Sequence, residues 1–192
     1  MKTTICFVRH GETEWNKTLR IQGRVNNQLA ENGIIQAEDT AKYLRKNDPS
    51  WDIMLSSPLS RAYDTALILA KHLEYQQEIF IYEEVTERDF GEAEGLHLSK
   101  EVYNRMYAGD FKGIETTWDL QKRCKDVVLK IAKDFEGKKV LVTTHSHFIK
   151  GLFTQIDPNV FFTTSLSNGS LNYVSVENEI ITSEKFNVNS HL

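Results

Sequence analysis

The stretch TTICFVRHGETEWN, residues 3–16, joins a short apolar run to a group of chemically active side chains. Residues 5–8 (ICFV) are all apolar, which predicts a strand buried on both faces. Arg9 follows with a permanently charged fork of donors suited to phosphate. His10 adds a nitrogen that can attack a substrate or carry a proton, and Gly11 lets the backbone turn sharply. Taken alone, Arg9 and His10 would be interpreted as solvated polar residues at the end of a strand. Polar residues from distant parts of the chain, described below, favour a functional site instead.

The composition is that of an ordinary globular protein, with 40% hydrophobic and 26% charged residues among 192. This length predicts a single domain over residues 1–192. The net charge of −4 argues against nucleic acid as a partner. It does not argue against an anionic substrate, because a few arginines in a cleft create a local positive field.

Cysteine content and hydropathy bear on the compartment. Cys6 and Cys124 have neither metal-binding spacing nor the pattern of a disulfide framework, which suits a reducing environment. No apolar run approaches the roughly 18 residues of a membrane span, and the N-terminus lacks a signal peptide's apolar segment and cleavage site. We therefore expect a cytoplasmic protein that does not bind a membrane.

Hydrophobic periodicity predicts alternating strands and helices. Helices are predicted at residues 31–45, 120–135 and 148–156, with a further helix that begins at Ser57-Pro58 and a short one within 96–115. Strands are predicted at residues 52–56, 79–82 and 139–144, and an edge hairpin at 171–186. This alternation predicts a three-layer α/β/α sandwich around a mostly parallel sheet.

Three further residues are candidates for the same site as His10. Arg61 lies in the first turn of its helix, where a cation opposes the helix dipole but reinforces an anion site. Glu87 follows a strand, and His145 follows residues 139–144 as His10 follows its own strand. Because parallel sheets bind ligands beyond the carboxyl ends of their strands, we expect both histidines to line one crevice.

Two features have alternative interpretations. The aromatic segment around 96–116 either covers the core or forms a lid over the leaving group, and we treat it as a small cap or lid region. His147 is either a further cleft group or a cap for the next helix, and the capping role is favoured. The pair of His145 and His147 does not predict a zinc site, because no third ligand has suitable spacing.

Four sequence blocks occur in the order typical of a known family. VRHGETEWN (8–16), SSPLSRAYDTA (56–66), TERDFGEAEG (86–95) and VTTHSHFIKGL (142–152) together resemble the histidine phosphatase superfamily, in its phosphoglycerate mutase-like branch. One Arg-His-Gly triplet would be weak, whereas four ordered blocks are specific. The resemblance covers most of the chain and implies the phosphoglycerate mutase-like fold.

The resemblance implies roles for individual residues. His10 would be the nucleophile that forms a phosphohistidine, and Glu87 would be the general acid and base. Arg9, Arg61 and His145 would surround the phosphoryl oxygens. Asn16, Gln22 and Gly23 match phosphate-binding or substrate-side positions of the family. No metal or cofactor is expected, because the arginines supply the positive charge.

Departures from the family pattern guide the choice of activity. Ala30 and the pair Ser146-His147 stand where the family often has a hydroxyl residue and two glycines. Between 96 and 115 the chain has only Arg105, without the paired arginines of phosphoglycerate mutases. We therefore expect a phosphatase of the broad-specificity type that hydrolyses small phosphorylated metabolites. A phosphoglycerate mutase and a non-catalytic phosphate-binding protein are the alternatives; the physiological substrate and the oligomeric state stay open.

Overall fold

One six-stranded sheet runs through the computed structural model, which describes residues 1–192. In chain order its strands are β1 (Thr3–Arg9), β2 (Ile53–Ser56), β3 (Ile79–Ile81), β4 (Lys139–Thr144), β5 (Leu171–Glu177) and β6 (Ile180–Val188). Their spatial order is β3-β2-β4-β1-β5-β6. The first four strands are mutually parallel, and the β5–β6 hairpin joins β1 in antiparallel fashion.

Helices cover both faces of this sheet. They are α1 (Glu14–Lys17), α2 (Glu31–Asn47), α3 (Ser60–Leu73), α4 (Lys100–Ala108), α5 (Thr117–Asp134) and α6 (Ser146–Ile156). Buried side chains of α5 and α6 form one apolar core against the sheet, and those of α2 and α3 form another on the opposite face. The predicted three-layer α/β/α sandwich with a mostly parallel sheet is confirmed.

The register of the two central strands places the histidines side by side. All four residues at 5–8 are fully buried, as an apolar strand covered on both faces requires. Arg9 at the end of β1 pairs with Thr144 at the end of β4. The next residues, His10 and His145, therefore leave the sheet together at its carboxyl edge.

Local details differ from the predictions at three places. The helix expected from Ser57-Pro58 begins at Ser60 with Leu59 as its N-cap. The Ser57 hydroxyl accepts from the Leu59 backbone N–H at 3.3 Å and is also bonded to the His145 ring. The predicted hairpin exists, but of its two strands only β6 lies at an edge of the sheet, because β5 pairs with β1. The polar segment after Gly11 contains the one-turn helix α1, which begins with a capping box whose N-cap residue is Thr13.

The segment around α4 contributes to a separate apolar cluster. Its buried members are Ile21, Phe90, Ala93, Met106 and Phe111. This cluster lies apart from both main cores and joins Phe90 and Ala93, after Glu87, to α4, whereas Val85, before Glu87, is buried in the core with α5 and α6. None of the helices combines the length and the hydropathy that crossing a bilayer requires.

Candidate active site

His10 is held by hydrogen bonds at both of its ring nitrogens. Its side chain is buried, and Nδ1–H donates to the carbonyl oxygen of Gly11 at 2.7 Å. The other nitrogen, Nε2, accepts from Nε of Arg61 at 3.3 Å. Burial, followed by the charges of Arg61 and Arg9, lowers the pKa of His10 well below its usual value of 6.5. The ring is therefore neutral at physiological pH, and its Nε2 lone pair points towards the guanidinium.

Arg61 joins the first turn of α3 to the loop after α1. It is fully buried and donates to the carbonyl oxygens of Gly23 and Val25, each at 2.7 Å. Burial lowers the pKa of Arg61 to about 10. The guanidinium still carries its charge at neutral pH, so it contributes a fixed positive charge next to His10.

The loop that carries Gln22 and Gly23 is fastened from two sides. Gly23 has a φ of +53°, and a Cβ there would lie 1.8 Å from Oε1 of Glu94. The Glu94 carboxylate accepts from the backbone N–H groups of Arg24 and Val25 at 2.7 and 3.0 Å. Gln22 is buried and accepts from the Thr13 hydroxyl at 2.9 Å. Only glycine therefore allows this loop to close on Glu94.

Arg9 and Asn16 occupy the side of the site near residues 166–168. Arg9 donates through Nη1 to the carbonyl oxygen of Leu166, while its buried Nε has no partner. Burial lowers the pKa of Arg9 to about 10, which leaves it charged at neutral pH. Asn168 donates to the His10 carbonyl oxygen at 3.0 Å and to Oδ1 of Asn16 at 3.3 Å. The Oδ1 of Asn16 is thus occupied, and its amide N–H groups make no bond within the protein.

His145 faces His10 across the site, with 5.2 Å between the two ring centroids. It is fully buried at the N-cap of α6, and its Nε2 lies 2.8 Å from the Ser57 hydroxyl. Its Nδ1 is buried without a partner. Burial, then the charge of Arg61, lowers the pKa of His145 well below 6.5. A phosphate dianion at this position would favour the protonated ring.

Glu87 lies beside the first turn of α6. Its side chain is only 6% exposed. Oε1 accepts from the backbone N–H groups of Arg88 and His147 at 2.9 and 3.0 Å, so the carboxylate lies at the N-terminal end of α6. Its negative charge raises the pKa of both Arg9 and Arg61, although burial outweighs it at each.

His147 does not cap its helix. The N-cap of α6 is His145, whose side chain makes no capping bond, and the carboxylate that accepts from the helix N-terminus belongs to Glu87. The His147 ring instead packs against Phe90 and Phe162, with centroids 4.9 and 5.6 Å away, and its Nδ1 is buried without a partner. The predicted capping role is therefore wrong, and the ring belongs to the aromatic side of the site. No group of three or more His, Cys, Asp or Glu side chains is arranged to hold a metal ion.

The structure brings together the residues that the sequence singled out and adds others. His10 lies next to His145 and Arg61, and the Glu87 carboxylate acts on the charges of Arg9 and Arg61. The loop of Gly23 is bonded to Arg61, and Asn16 is linked to His10 through Asn168. Sequence reasoning missed Ser57, Glu94 and Asn168, whose partners all lie far along the chain. Only Ser57 gave a signal, and that signal indicated a helix cap.

Comparison with known proteins agrees with this geometry. A model of the histidine phosphatase superfamily (branch 1) matches residues 5–189. The chain is 35% identical to the uncharacterized phosphatase PhoE of Bacillus subtilis, covering 99% of this chain and 97% of that protein. It is 32% identical to a metal-independent phosphoserine phosphatase of Arabidopsis thaliana, covering 99% and 83% respectively.

Solved structures share the whole fold. A mutant phosphoserine phosphatase of Entamoeba histolytica, in complex with phosphoserine, superposes with a TM-score of 0.85 at 27% identity, covering 99% of both chains. A phosphoglycerate mutase of Bacillus anthracis superposes with a TM-score of 0.87 at 24% identity, covering 99% of this chain and 95% of the other. The chain therefore belongs to the histidine phosphatase superfamily, branch 1.

Proposed function

We propose that this protein is a metal-independent phosphatase that hydrolyses small phosphomonoesters through a phosphohistidine on His10. The observation that carries the proposal is the state of the His10 ring. The Gly11 carbonyl oxygen fixes the proton on Nδ1, so Nε2 keeps its lone pair within reach of the buried Arg61 guanidinium. A neutral nucleophile next to fixed positive charge is what attack on a phosphomonoester requires.

In the first step Nε2 of His10 attacks phosphorus. The P–N bond forms as the bond between phosphorus and the alcohol oxygen breaks. Glu87, in its acid form, gives its proton to the departing oxygen, which leaves as the neutral alcohol. Arg9, Arg61 and protonated His145 hold the phosphoryl oxygens, where negative charge is spread in the transition state.

In the second step a water molecule hydrolyses the phosphohistidine. The Glu87 carboxylate takes a proton from the water as its oxygen bonds to phosphorus. The P–N bond breaks, inorganic phosphate leaves, and the His10 ring returns to its starting state. Asn16, Gln22 and Gly23 contribute to holding the phosphate or the substrate from the loops after β1.

The relatives support hydrolysis over transfer to a second hydroxyl. Phosphatases are among the relatives that match nearly the whole chain, and a phosphoserine phosphatase is among them. Within 96–115 the chain has Arg105 but no paired arginines. Phosphoserine is therefore the first natural substrate to test.

We also propose that residues 1–192 form a single catalytic domain in which the segment around 96–116 is a lid. Its support is the separate apolar cluster that joins Met106 and Phe111 to Phe90, three residues after Glu87. Such a segment can move without disturbing the two main cores. The free, buried Cys6 and Cys124 support a location in the reducing cytoplasm.

The decisive experiment is turnover of p-nitrophenyl phosphate by protein treated with a metal chelator, between pH 5 and 8. We expect hydrolysis to persist in the chelator and an acid-labile phosphoenzyme to be trapped by rapid quenching. His10→Ala should reduce kcat by about a thousand-fold or more and abolish the phosphoenzyme. His72→Ala, on the outer part of α3, is the matched control and should keep parental activity.

Other outcomes separate the alternatives. A protein that binds phosphate but hydrolyses no phosphomonoester would be a non-catalytic binding protein. A protein that interconverts 2- and 3-phosphoglycerate faster than it releases phosphate would be a mutase. Loss of all activity in chelator, with recovery on adding a divalent cation, would contradict metal independence.

A further inference from the structure

Glu87 lies on a loop whose backbone has no regular structure of its own. The loop joins the short 3-10 turns Glu83–Val85 and Gly91–Ala93, and residues 86–89 belong to no helix or strand. A catalytic acid must nevertheless be placed accurately, since a displacement of about 1 Å can slow a reaction about a hundred-fold. Groups outside the loop must therefore fix its position.

Arg123 of α5 holds the loop up to and including Glu87. Its Nη1 donates to the backbone carbonyl oxygens of Glu84 and Thr86 at 2.7 and 2.9 Å. Its Nη2 lies 3.5 Å from the carbonyl oxygen of Glu87 itself. The guanidinium carbon is 5.8 Å from the ring centroid of Phe148, in α6. One side chain thus connects the loop to the two helices behind it.

Glu115 holds the loop immediately after Glu87. Its backbone N–H donates to the Asp89 carbonyl oxygen at 2.8 Å, and its own carbonyl oxygen accepts from Nε of Arg88 at 2.9 Å. Its carboxylate also accepts from the Asp89 backbone N–H, at 3.3 Å. The two residues that follow Glu87 are therefore bonded to this single glutamate.

The two holding residues are bonded to each other. Nε and Nη2 of Arg123 donate to the two carboxylate oxygens of Glu115, at 2.8 and 2.9 Å. Such a bidentate pair fixes orientation as well as distance, and the two side chains are only 18% and 12% exposed. Every guanidinium nitrogen of Arg123 has a partner within the protein, so this arginine holds structure and does not wait for a ligand.

We propose that this pair, which we name the Glu115–Arg123 clamp, positions Glu87 for proton transfer, with Arg123 as the main positioning residue. The inference rests on the proposed function, in which Glu87 protonates the departing alcohol oxygen. The clamp fixes the backbone on both sides of Glu87, while the N–H groups of Arg88 and His147 fix its carboxylate. Arg123 acts through Glu87 and does not touch the substrate.

Arg123→Lys separates positioning from a general loss of structure. Lysine keeps the charge that pairs with Glu115, and with it the contribution that this charge makes, after burial and the charge of Arg61, to lowering the pKa of His145. It cannot reproduce the planar fork that reaches two carbonyl oxygens and a carboxylate together. A displaced acid slows only those substrates whose leaving group needs a proton, whereas a generally loosened protein slows all of them.

Rapid-quench measurement of the first turnover tests the inference with two substrates. O-phosphoserine releases an alkyl oxygen that needs a proton, and p-nitrophenyl phosphate releases nitrophenolate, which does not. We expect Arg123→Lys to slow the first substrate about ten-fold or more and the second less than about two-fold. Glu115→Gln, which weakens the same clamp, should slow phosphoserine selectively by about three-fold. Lys122→Met, at the exposed neighbouring position on α5, is the matched control and should keep both parental rates.

A double variant tests whether Arg123 acts through Glu87. In protein that carries Glu87→Gln, adding Arg123→Lys should change the first turnover of phosphoserine by less than about two-fold, because the group that it positions is already lost. Full additional slowing in this background overturns the inference. Equal slowing of both substrates by Arg123→Lys overturns it as well, and so do two parental rates.

Melting temperatures decide which single variant is used. If Arg123→Lys is not folded at the assay temperature, the selectivity of Glu115→Gln decides alone. The proposed function is judged by the parental protein: turnover of p-nitrophenyl phosphate with unselective clamp variants overturns only the positioning role. A parental protein that hydrolyses neither substrate overturns the phosphatase and the positioning role together.

Discussion

The group of His10, Arg61 and His145 and the neighbouring group of Arg88, Tyr107 and His147 lie side by side but are built in different ways. His10 and His145 stand at the ends of two paired parallel strands, and their positions follow from the register of the central sheet. Each guanidinium nitrogen of Arg61 donates one hydrogen bond, to His10 or to a backbone carbonyl oxygen. The group of Arg88, Tyr107 and His147 is drawn from a loop, the helix α4 and the first turn of α6, and each of its side chains keeps one unpartnered polar atom.

This difference separates what the reaction needs from what the substrate needs. Phosphoryl transfer tolerates little error in position, so its groups are fixed by backbone geometry and by buried hydrogen bonds. Recognition of the alcohol part depends on side chains that α4 and the nearby loops present, which vary more easily than a sheet. Changes on the phosphate side should therefore affect all substrates, and changes on the other side should discriminate among them.

The largest expected effect on activity is that of Glu87→Gln, which should slow some substrates much more than others. Without the acid, an alkyl oxygen must leave as an alkoxide, and we expect the first turnover of phosphoserine to slow about a thousand-fold. Nitrophenolate leaves without a proton, so the first turnover of p-nitrophenyl phosphate should slow about ten-fold at most. Rapid-quench measurement of the first turnover is needed, because the later hydrolysis of phosphohistidine uses the same carboxyl group.

Two checks keep this result interpretable. Glutamine retains a carbonyl oxygen for the N–H groups of Arg88 and His147, so the melting temperature should change little. Glu83→Gln, at an exposed position upstream, should leave both rates at parental values. Equal slowing of both substrates by Glu87→Gln would show that Glu87 does not protonate the leaving group.

Arg61→Lys is expected to reduce kcat/KM by about a hundred-fold for every phosphomonoester alike. Lysine keeps the charge but cannot reproduce the planar fork that reaches His10, Gly23 and Val25 together. Steady-state kinetics with phosphoserine and p-nitrophenyl phosphate would measure this loss of kcat/KM, and Arg45→Lys, at an exposed position, is the control. A variant that lost activity on only one of the substrates would contradict the separation of the two sides.

The fold and the phosphate side were predictable because their signals are local or repeated. Four consecutive apolar residues at 5–8 predicted a doubly covered strand, and the same pattern before His145 placed a second histidine at the same edge of the sheet. The alternation of strands and helices then determined the layers. Each of these inferences needs only the spacing of apolar residues along the chain and the rule that parallel sheets bind ligands at the carboxyl ends of their strands.

The remaining contacts were not predictable because each depends on a distant partner. Ser57 reads locally as a helix cap, yet its hydroxyl is bonded to His145, 88 residues away. The Glu94 carboxylate binds backbone N–H groups about 70 positions upstream, at Arg24 and Val25. His147 likewise reads as a cap, and only the packing of Phe90 and Phe162 around it reveals another environment. Side-chain partners of this kind are set by tertiary packing, which a sequence period does not encode.

The smallest expected effect concerns acid stability. Burial is the main cause that lowers the pKa of His10, His145 and His147 in the folded protein well below the 6.5 of an unfolded chain. Below pH 6.5 the unfolded chain therefore binds more protons, and the free energy of unfolding falls as the pH falls. Each histidine contributes up to about 1.4 kcal/mol per pH unit, and the three together up to about 4 kcal/mol.

The two sides of the site should divide this pH dependence between them. His147→Phe, which keeps an aromatic ring against Phe90, should lower the slope by up to about 1.4 kcal/mol per pH unit in urea unfolding between pH 6.5 and 5. Inorganic phosphate should also lower the slope, because a bound anion raises the pKa of His145 in the folded state. We expect the two effects to add, whereas exposed His97→Gln should change nothing. If phosphate removed the contribution of His147 as well, the two regions would share one anion site.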